Sequence, residues 1–436
     1  MLTIDPRASR LTTAHATLSA SHRALTQLLS QHRALWNERP FVRGALTWPA
    51  RYPKIAEWLT SLSEDELTAA ERGTFPPDTQ PVALAEWVNA TMAGNRIERW
   101  QRSDSNQRNQ VPWQTSPRKA EQATAFAEVV SRFRPPEAPI LEWCAGKGYL
   151  ARRLNSTYQA ATTCVERDAL ICASGQELDQ RAAVRSTWLT ADVKSLDKID
   201  PGNCVVALHA CGSLYRHLIR VAAESGCRQI AFAPCCYQKG LTPPAAALSQ
   251  SETHGLPTPR PAATYVPLSA TARRTDLHLN EHALRLATAD RVFLKRRVVR
   301  ARHREQLYRL SLDLWLRRTT GIRDYHPVPR LRQCEFREEL DVFIRRIAKR
   351  FDLSCPTTSL VGLEAEARRE LKRVRGLELV RRLFRRSLEL WVVLDSALYL
   401  EERGYEVQVG EFVAPNVTPR NLLVLARNPA EKCDHE

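Results

Sequence analysis

The sequence lacks the long apolar runs and the cysteine spacing that would place it in a membrane or a secreted scaffold. None of its 436 residues lies in an apolar run of the ~20 residues that a membrane helix needs. The first residues, Met1–Arg7, lack the apolar core of a signal peptide. The eleven cysteines do not form a disulfide framework, and several, such as Cys164 and Cys204, fall inside apparent strands. We therefore expect a cytoplasmic protein with no membrane span.

Acidic residues are also scarce relative to basic ones. The chain has 64 Lys and Arg against 48 Asp and Glu, which gives a net charge of +16. The excess is concentrated in two segments, 291–309 and 368–386. Such clusters can simply be a solvated surface. Their concentration favours a polyanionic partner, since cations that neutralise phosphates bind a nucleic acid whatever its base sequence.

A glycine-rich turn is the most informative feature that is present. The apolar run from Ile140 contains Glu142 and leads to Gly146 and Gly148, and a second apolar run ends at Glu166, twenty residues after Gly146. This spacing is typical of a strand–loop–helix–strand cradle for a nucleotide, with the second acid placed to accept hydrogen bonds from a ribose. A dinucleotide and S-adenosylmethionine (SAM) both fit such a cradle. A tight turn without any ligand is the simplest alternative.

Three features favour SAM over a dinucleotide. Glu142 lies inside the strand end, where it can meet the ammonium of a methionine moiety. Residues 189–192 predict a third strand that ends in an acid, Asp192, suited to an adenine amino group. The chain also ends in a helix followed by two strands, 405–409 and 421–427, which a dinucleotide-binding fold does not require.

Three segments carry a resemblance to a known group of enzymes. Glu142–Leu150, Leu208–Gly212 and Pro234–Tyr237 together resemble class I SAM-dependent methyltransferases, in particular the methyltransferase domain of glutathione S-transferase C-terminal domain-containing proteins. More distantly, they are similar to the tRNA 2′-O-methyltransferase family. The resemblance covers roughly residues 117–427. It departs at Cys144, where many class I enzymes carry glycine.

The resemblance implies a SAM site and supplies its candidate residues. For Lys119, a contact with the cofactor and a solvated position in the first turn of a helix are equally good interpretations. The implied SAM-binding residues are Lys119, Glu142, Cys144, Ala145, Gly146, Gly148, Tyr149, Leu150, Glu166, Arg167, Asp192, Val193, His209, Cys211 and Gly212.

The pattern along the chain predicts an α/β fold. From residue 140 apparent strands alternate with helices, which implies a parallel sheet with right-handed crossovers. We expect a Rossmann-like class I methyltransferase with a seven-stranded mixed sheet, an N-terminal helical domain, and a basic helical insertion before the last two strands. The predicted division is a helical domain at 1–102, a linker at 103–116, a SAM-binding core at 117–240, the insertion at 241–386, and a C-terminal helix and hairpin at 387–436.

Two cysteine-containing segments follow the fourth and fifth predicted strands, so both should line one crevice. Cys211, Cys235 and Cys236 could be small buried packing residues. With His209 they could form a zinc site, although adjacent cysteines are awkward ligands for one tetrahedral ion, and we predict no metal. One cysteine could be a covalent nucleophile. We favour methyl transfer without a covalent intermediate, with His209 and Tyr237 near the acceptor and Cys235 and Cys236 as further catalytic candidates.

The resemblance and the charge together suggest RNA as the substrate, tRNA or rRNA, bound through the arginine-rich segments 291–309 and 368–386. A methyltransferase for a protein or a small molecule is one alternative. A SAM-fold protein that binds RNA or assists assembly without catalysis is another.

Overall fold

The computed structural model describes residues 15–42, 46–75, 79–100, 115–135, 137–241, 262–289, 296–321, 325 and 331–429. Seven strands form one sheet: β1 (Ile140–Trp143), β2 (Thr162–Glu166), β3 (Ser186–Thr190), β4 (Cys204–Ala207), β5 (Gln229–Phe232), β6 (Glu406–Glu411) and β7 (Leu422–Arg427). Their order is β3-β2-β1-β4-β5-β7-β6. The first five are parallel, and β7 runs antiparallel to β5 and β6. The predicted Rossmann-like class I fold is confirmed.

Strand burial follows position in the sheet. All residues of the central strands β4 and β5 are buried, because helices cover both faces of the sheet. β3 lies at one edge and is largely exposed. The order of strands reverses between β1 and β4, and the carboxyl ends of these strands therefore open onto the crevice where ligands bind in such sheets.

The helices of the described residues surround this sheet in chain order. They are α1 (His15–Gln31), α2 (Arg33–Asn37), α3 (Trp48–Arg51), α4 (Pro53–Ser61), α5 (Glu64–Glu71), α6 (Val82–Gly94), α7 (Pro117–Phe133), α8 (Tyr149–Tyr158), α9 (Ala169–Arg181), α10 (Ser213–Glu224), α11 (Ala270–Arg273), α12 (Glu281–Ala287), α13 (Arg296–Thr320), α14 (Leu340–Arg350), α15 (Leu363–Leu383) and α16 (Arg385–Glu401).

α16 is the central helix of the molecule. Every residue from 387 to 400 is buried, as expected for a helix that is enclosed on all sides. It packs against α1, α12 and β6, so the N-terminal helices share one hydrophobic cluster with a face of the sheet. The buried carboxylate of Asp395 accepts hydrogen bonds from the Tyr265 hydroxyl at 2.7 Å and from the backbone N–H groups of Leu268 and Ser269 at 2.8 Å. This buried charge is thus compensated and anchors the segment 265–269 to α16.

The helical insertion has its own hydrophobic cluster, formed by α13, α14 and α15. α15 also reaches the N-terminal helices, because Gly376 lets it approach α4 closely: a Cβ atom there would lie 2.5 Å from the carbonyl oxygen of Leu59. The predicted domain boundaries stay a prediction. The proposed linker 103–116 lies outside the described residues except for 115–116. Across the described ranges, none of the helices combines the length and the apolar character required to cross a membrane.

Candidate functional site

The turn after β1 contains three residues in the left-handed backbone region. Cys144, Gly146 and Gly148 have φ values of 57°, 57° and 67°. Glycine adopts this region freely, whereas Cys144 occupies it at a cost of roughly 1–2 kcal/mol. No atom lies within 4 Å of the position that a Cβ atom on Gly146 would take, so the backbone there borders open space. The turn therefore has room beside its backbone for the ligand that the sequence predicts.

Glu166, at the end of β2, connects two turns. One carboxylate oxygen accepts a hydrogen bond from Gly146 N at 3.1 Å, and the other accepts from the backbone of Arg167 at 3.0 Å and Asp168 at 3.2 Å. The side chain is half-buried. Glu166 thus stabilises the glycine turn, and its predicted contact with a ribose stays a prediction.

Glu142 lies deeper than its predicted contact with a ligand ammonium suggests. It is 5% exposed, and its carboxylate accepts a hydrogen bond from Ala151 N at 2.9 Å, in the first turn of α8. Burial raises the pKa of Glu142 to about 8. The group is therefore largely protonated at neutral pH, and its visible role is to hold the start of α8 against β1.

The buried ion pair of Arg152 and Asp179, which no sequence motif indicates, lies next to the turn and stabilises it. Arg152 of α8 donates to Asp179 of α9 at 2.8 Å and to the carbonyl oxygen of Gly175 at 3.2 Å. The Trp188 indole donates to the same carboxylate at 2.8 Å, and its ring would lie 2.9 Å from a Cβ atom on Gly148. Trp188 therefore requires glycine at this position. The two members of the pair are 27 residues apart, and no local pattern relates them.

The other predicted SAM-binding residues lie at varied depths. Asp192 is exposed and accepts a hydrogen bond from Lys194 N at 3.0 Å, whereas the adjacent Val193 is buried. The remaining candidates divide by burial: Ala145 and Leu150 are buried, Tyr149 is half-buried, and Lys119 and Arg167 are exposed.

The two cysteine-containing segments interlock beyond β4 and β5. Cys211 and Cys235 form an isolated parallel bridge, with Gly212 N donating to Cys235 O at 3.1 Å. Ser213 N donates to Lys239 O at 3.0 Å, and a Cβ atom on Gly212 would lie only 1.8 Å from that same oxygen. The backbone of one segment therefore fits against the other only because residue 212 is glycine.

This contact brings thiols together. The Sγ atoms of Cys211 and Cys235 are 3.3 Å apart, and Cys236 completes a group whose Sγ atoms all lie within 4.8 Å of one another. The hydrogen bond between them lowers the pKa of Cys211 to about 6 and raises the pKa of Cys235. Burial raises the pKa of Cys236. Of the three thiols, Cys211 is therefore the one whose deprotonation is favoured.

His209 is exposed, and its carbonyl oxygen lies 3.6 Å from the Sγ atom of Cys211. Its Nε2 atom lies 2.9 Å from Oε1 of Gln122, a residue of α7 that the sequence analysis did not select. Partial desolvation of the ring, together with the cations Arg420, Lys119 and Arg118, lowers the pKa of His209 to about 4. The imidazole is thus neutral at pH 7 and able to accept a proton.

Tyr237 does not occupy the predicted position near the acceptor. It is 2% exposed, and its hydroxyl group lies 3.3 Å from the carbonyl oxygen of Pro234 and 3.4 Å from the carboxylate of Glu389 on α16. Burial raises its pKa well above the usual range. The backbone turn at Cys236 directs this tyrosine into the core, where it packs rather than faces a substrate.

Residues 118–241 match the model of a protein family described as a methyltransferase domain. This range contains the glycine turn, Glu166, and both cysteine-containing segments. Together with the strand order, the match supports a SAM-dependent methyltransferase domain in this part of the chain. Glu166, Gly146 and the open space beside that glycine fit such a cofactor.

Solved methyltransferase structures are similar to parts of this chain, and the matches span 58–66% of their own length. Magnesium protoporphyrin IX methyltransferase ChlM from Synechocystis PCC 6803, with bound SAM, is 17% identical over 26% of this chain and 58% of its own, with a TM-score of 0.21. A sarcosine dimethylglycine methyltransferase from Galdieria sulphuraria is 13% identical over 34% of this chain and 58% of its own, with a TM-score of 0.24.

A third structure, the glycopeptide N-methyltransferase MtfA with SAM, is 21% identical over 36% of this chain and 66% of its own, with a TM-score of 0.22. These values are too low for the structures to indicate a substrate. Among curated proteins, none matches this sequence significantly.

Proposed function

We propose that this protein transfers the methyl group of SAM to an RNA, tRNA or rRNA. The observation that supports RNA most is the set of cations at the acceptor end of the crevice. Arg118, Lys119 and Arg420 act on His209, and Lys239 acts with Arg420 on Cys211. Cations that converge on a crevice concentrate an anionic substrate there. The resemblance of Leu208–Gly212 and Pro234–Tyr237 to tRNA 2′-O-methyltransferases agrees with this choice.

Arg420 is the best-defined of these cations. Its side chain is half-buried, and its Nε atom is buried with no hydrogen-bond partner among the described residues. Its charge acts on both His209 and Cys211, and for this reason we assign substrate binding to Arg420.

Exposed arginines of the insertion extend the basic surface. Arg296, Arg297 and Arg300 lie exposed near the start of α13, and Arg368 and Arg369 lie exposed on α15. Five further arginines of the second cluster pair with carboxylates inside the protein. Glu71, Glu378, Glu389 and Glu411 pair with Arg375, Arg381, Arg382, Arg385 and Arg386. We therefore assign phosphate contacts to the exposed arginines, and a structural role to the five that pair inside the protein.

The proposed chemistry needs little from the protein beyond position and a proton acceptor. SAM supplies a methyl group on a positively charged sulfur. The neutral His209 can accept the proton that an acceptor hydroxyl loses, and Gln122 fixes the orientation of the ring. The glycine turn and Glu166 would hold the cofactor.

The test is transfer of labelled methyl groups from SAM to total RNA and, separately, to the protein and small-molecule fractions of a lysate. We expect label in RNA, and a loss of kcat/KM of about tenfold or more in Arg420→Gln, mainly through KM, since a charge-assisted hydrogen bond is worth ~1.5–3 kcal/mol. Arg72→Gln, an exposed arginine of the N-terminal helices, is the control. Label in protein alone would select the protein methyltransferase. SAM binding without turnover on any fraction would indicate the non-catalytic factor.

A further inference from the structure

The cluster of Cys211, Cys235 and Cys236 has the donor set of a metal site. Its three Sγ atoms lie within 4.8 Å of one another, and within the parts of the chain that the structure describes no other group of His, Cys, Asp and Glu converges in this way. A tetrahedral zinc ion with Zn–S bonds of about 2.3 Å separates its sulfurs by about 3.8 Å. Here the Sγ atoms of Cys211 and Cys235 are 3.3 Å apart and all three pairs lie within 4.8 Å, a range that includes this separation.

The backbone explains how two adjacent cysteines can serve one ion. Successive side chains of an extended segment point to opposite sides. Cys236, however, has a φ of 48°, in the left-handed region, and this turn brings its Sγ atom to the same group as that of Cys235. Adjacent cysteines are therefore not awkward ligands for one tetrahedral ion in this conformation.

The cluster is also held in place before any ion binds. The bridge between Cys211 and Cys235, the hydrogen bond from Lys239 N to Cys236 O at 2.8 Å, and the close fit at Gly212 fix both segments. Cys235 is buried, whereas Cys211 and Cys236 are half-buried. His209 is engaged with Gln122, so it leaves the fourth position of a tetrahedral ion to solvent or substrate.

We propose that Cys211, Cys235 and Cys236 bind a zinc ion whose fourth position opens to the acceptor end of the crevice. Thiolate ligands select zinc among the common divalent ions of similar size. Three thiolates and one zinc ion carry a net negative charge, and Lys239 and Arg420 stand close enough to act on the cluster. Three protein ligands with one open position are typical of zinc ions that bind a reacting group. The inference goes beyond methyl transfer to RNA, and it can fail or hold without SAM and without an acceptor.

Zinc binding is tested on the full chain, reduced, stripped with a chelator and then titrated with zinc against a chromophoric competitor. We expect one tight equivalent, and a loss of affinity of about 100-fold in Cys236→Ser, since even outer partners of metal ligands contribute 10–100-fold. Cys334→Ser, an exposed thiol of the insertion, is the control and should bind as the unaltered chain does.

A second measurement does not depend on the folding of variants. Cobalt added to the unaltered chain should give the absorption of a tetrahedral thiolate complex, and cadmium NMR should report three sulfur ligands. Equal zinc affinity in the unaltered chain and in Cys236→Ser would overturn the proposal. So would a Cys211–Cys235 disulfide in protein purified without reductant, combined with the absence of stoichiometric metal binding after reduction.

Discussion

Glu142 shows how one residue can make folding depend on pH. Its carboxyl group lies at the end of an apolar strand, and burial raises its pKa to about 8. In the unfolded chain the same group has a pKa near 4.3. Between these values the folded state holds a proton that the unfolded state has released, so the contribution of Glu142 to stability falls as pH rises from about 4.3 to about 8.

We therefore predict that Glu142→Gln changes stability in a pH-dependent way. The variant should be close to the unaltered protein at pH 4.5 and more stable by ~2 kcal/mol at pH 8.5, within an upper limit of about 5 kcal/mol for the full shift. Urea unfolding at a series of pH values measures this, with the exposed Glu137→Gln as control. A difference that stays constant across pH would show that burial of the charge is not the cause.

Gly212 and Gly226 form a matched pair of glycines for a second test. Both have positive φ, 56° and 70°, but a Cβ atom on Gly212 would lie 1.8 Å from Lys239 O, whereas one on Gly226 meets no atom within 4 Å. Gly226→Ala should cost only about 1–2 kcal/mol for its backbone conformation. Gly212→Ala should cost on the order of 3 kcal/mol or more, because one of the interlocked segments must move.

Denaturant unfolding of both alanine variants measures the difference. The reactivity of the cysteine cluster toward a thiol reagent provides a second readout, which should rise in Gly212→Ala alone. Equal costs in the two variants would mean that the two cysteine-containing segments separate easily.

At the scale of elements, α15 connects the insertion to the N-terminal helices. Arg375 of α15 is buried and pairs with Glu64 at 2.6 Å and with Glu71 at 3.2 Å, both on α5. Hydrogen bonds from His303 and Arg375, together with the charge of Arg382, outweigh the effect of burial and hold the pKa of Glu71 at about 2. Some arginines of α15 therefore have a structural role in these ion pairs and do not contact RNA.

Loss of Arg375 should therefore destabilise the packing of α15 on α5. We predict that Arg375→Ala lowers the free energy of unfolding by about 3 kcal/mol, because it removes one partner of the buried Glu71 carboxylate. Arg368→Ala on the same helix removes an exposed pair with Glu364 and should cost less than ~1 kcal/mol. Thermal or urea unfolding at pH 7 compares them. The effect of Arg375→Ala should shrink as pH falls from 4.5 toward 2 and Glu71 takes up its proton.

At the scale of the whole molecule, the net charge is +16, and its exposed arginines determine how strongly the protein binds a polyanion. If the exposed arginines of α13 contact phosphates, RNA binding should weaken steeply as salt rises, with a slope of about −0.7 per contact on single strands. The variant with Arg296, Arg297 and Arg300 all changed to Gln should lose about two units of slope. Electrophoretic binding across a salt series measures it, with Arg72→Gln as control. An unchanged slope would remove α13 from the RNA surface.

The sequence predicted the sheet well and the side-chain contacts of the site poorly. Buried parallel strands are short apolar runs, and the turn after β1 needs glycine. Both features are therefore visible as local patterns in the sequence. The predicted strands at 405–409 and 421–427 each begin within one residue of β6 and β7. Gln122 and Arg420 left no such mark, since each meets His209 from a distant part of the chain.

By itself, therefore, the sequence determined the order of strands and helices, the glycine turn, and the crevice at the carboxyl ends of β4 and β5. Only the tertiary structure decided which side chains share that crevice. A left-handed φ at Cys236 groups three thiols and directs Tyr237 into the core. Packing of α15 against α5 turns arginines that look like a nucleic-acid surface into internal ion pairs. The physical reason is the same in both cases: periodicity and turn chemistry act between neighbouring residues, whereas burial, charge pairing and side-chain direction depend on segments that meet only in the folded chain.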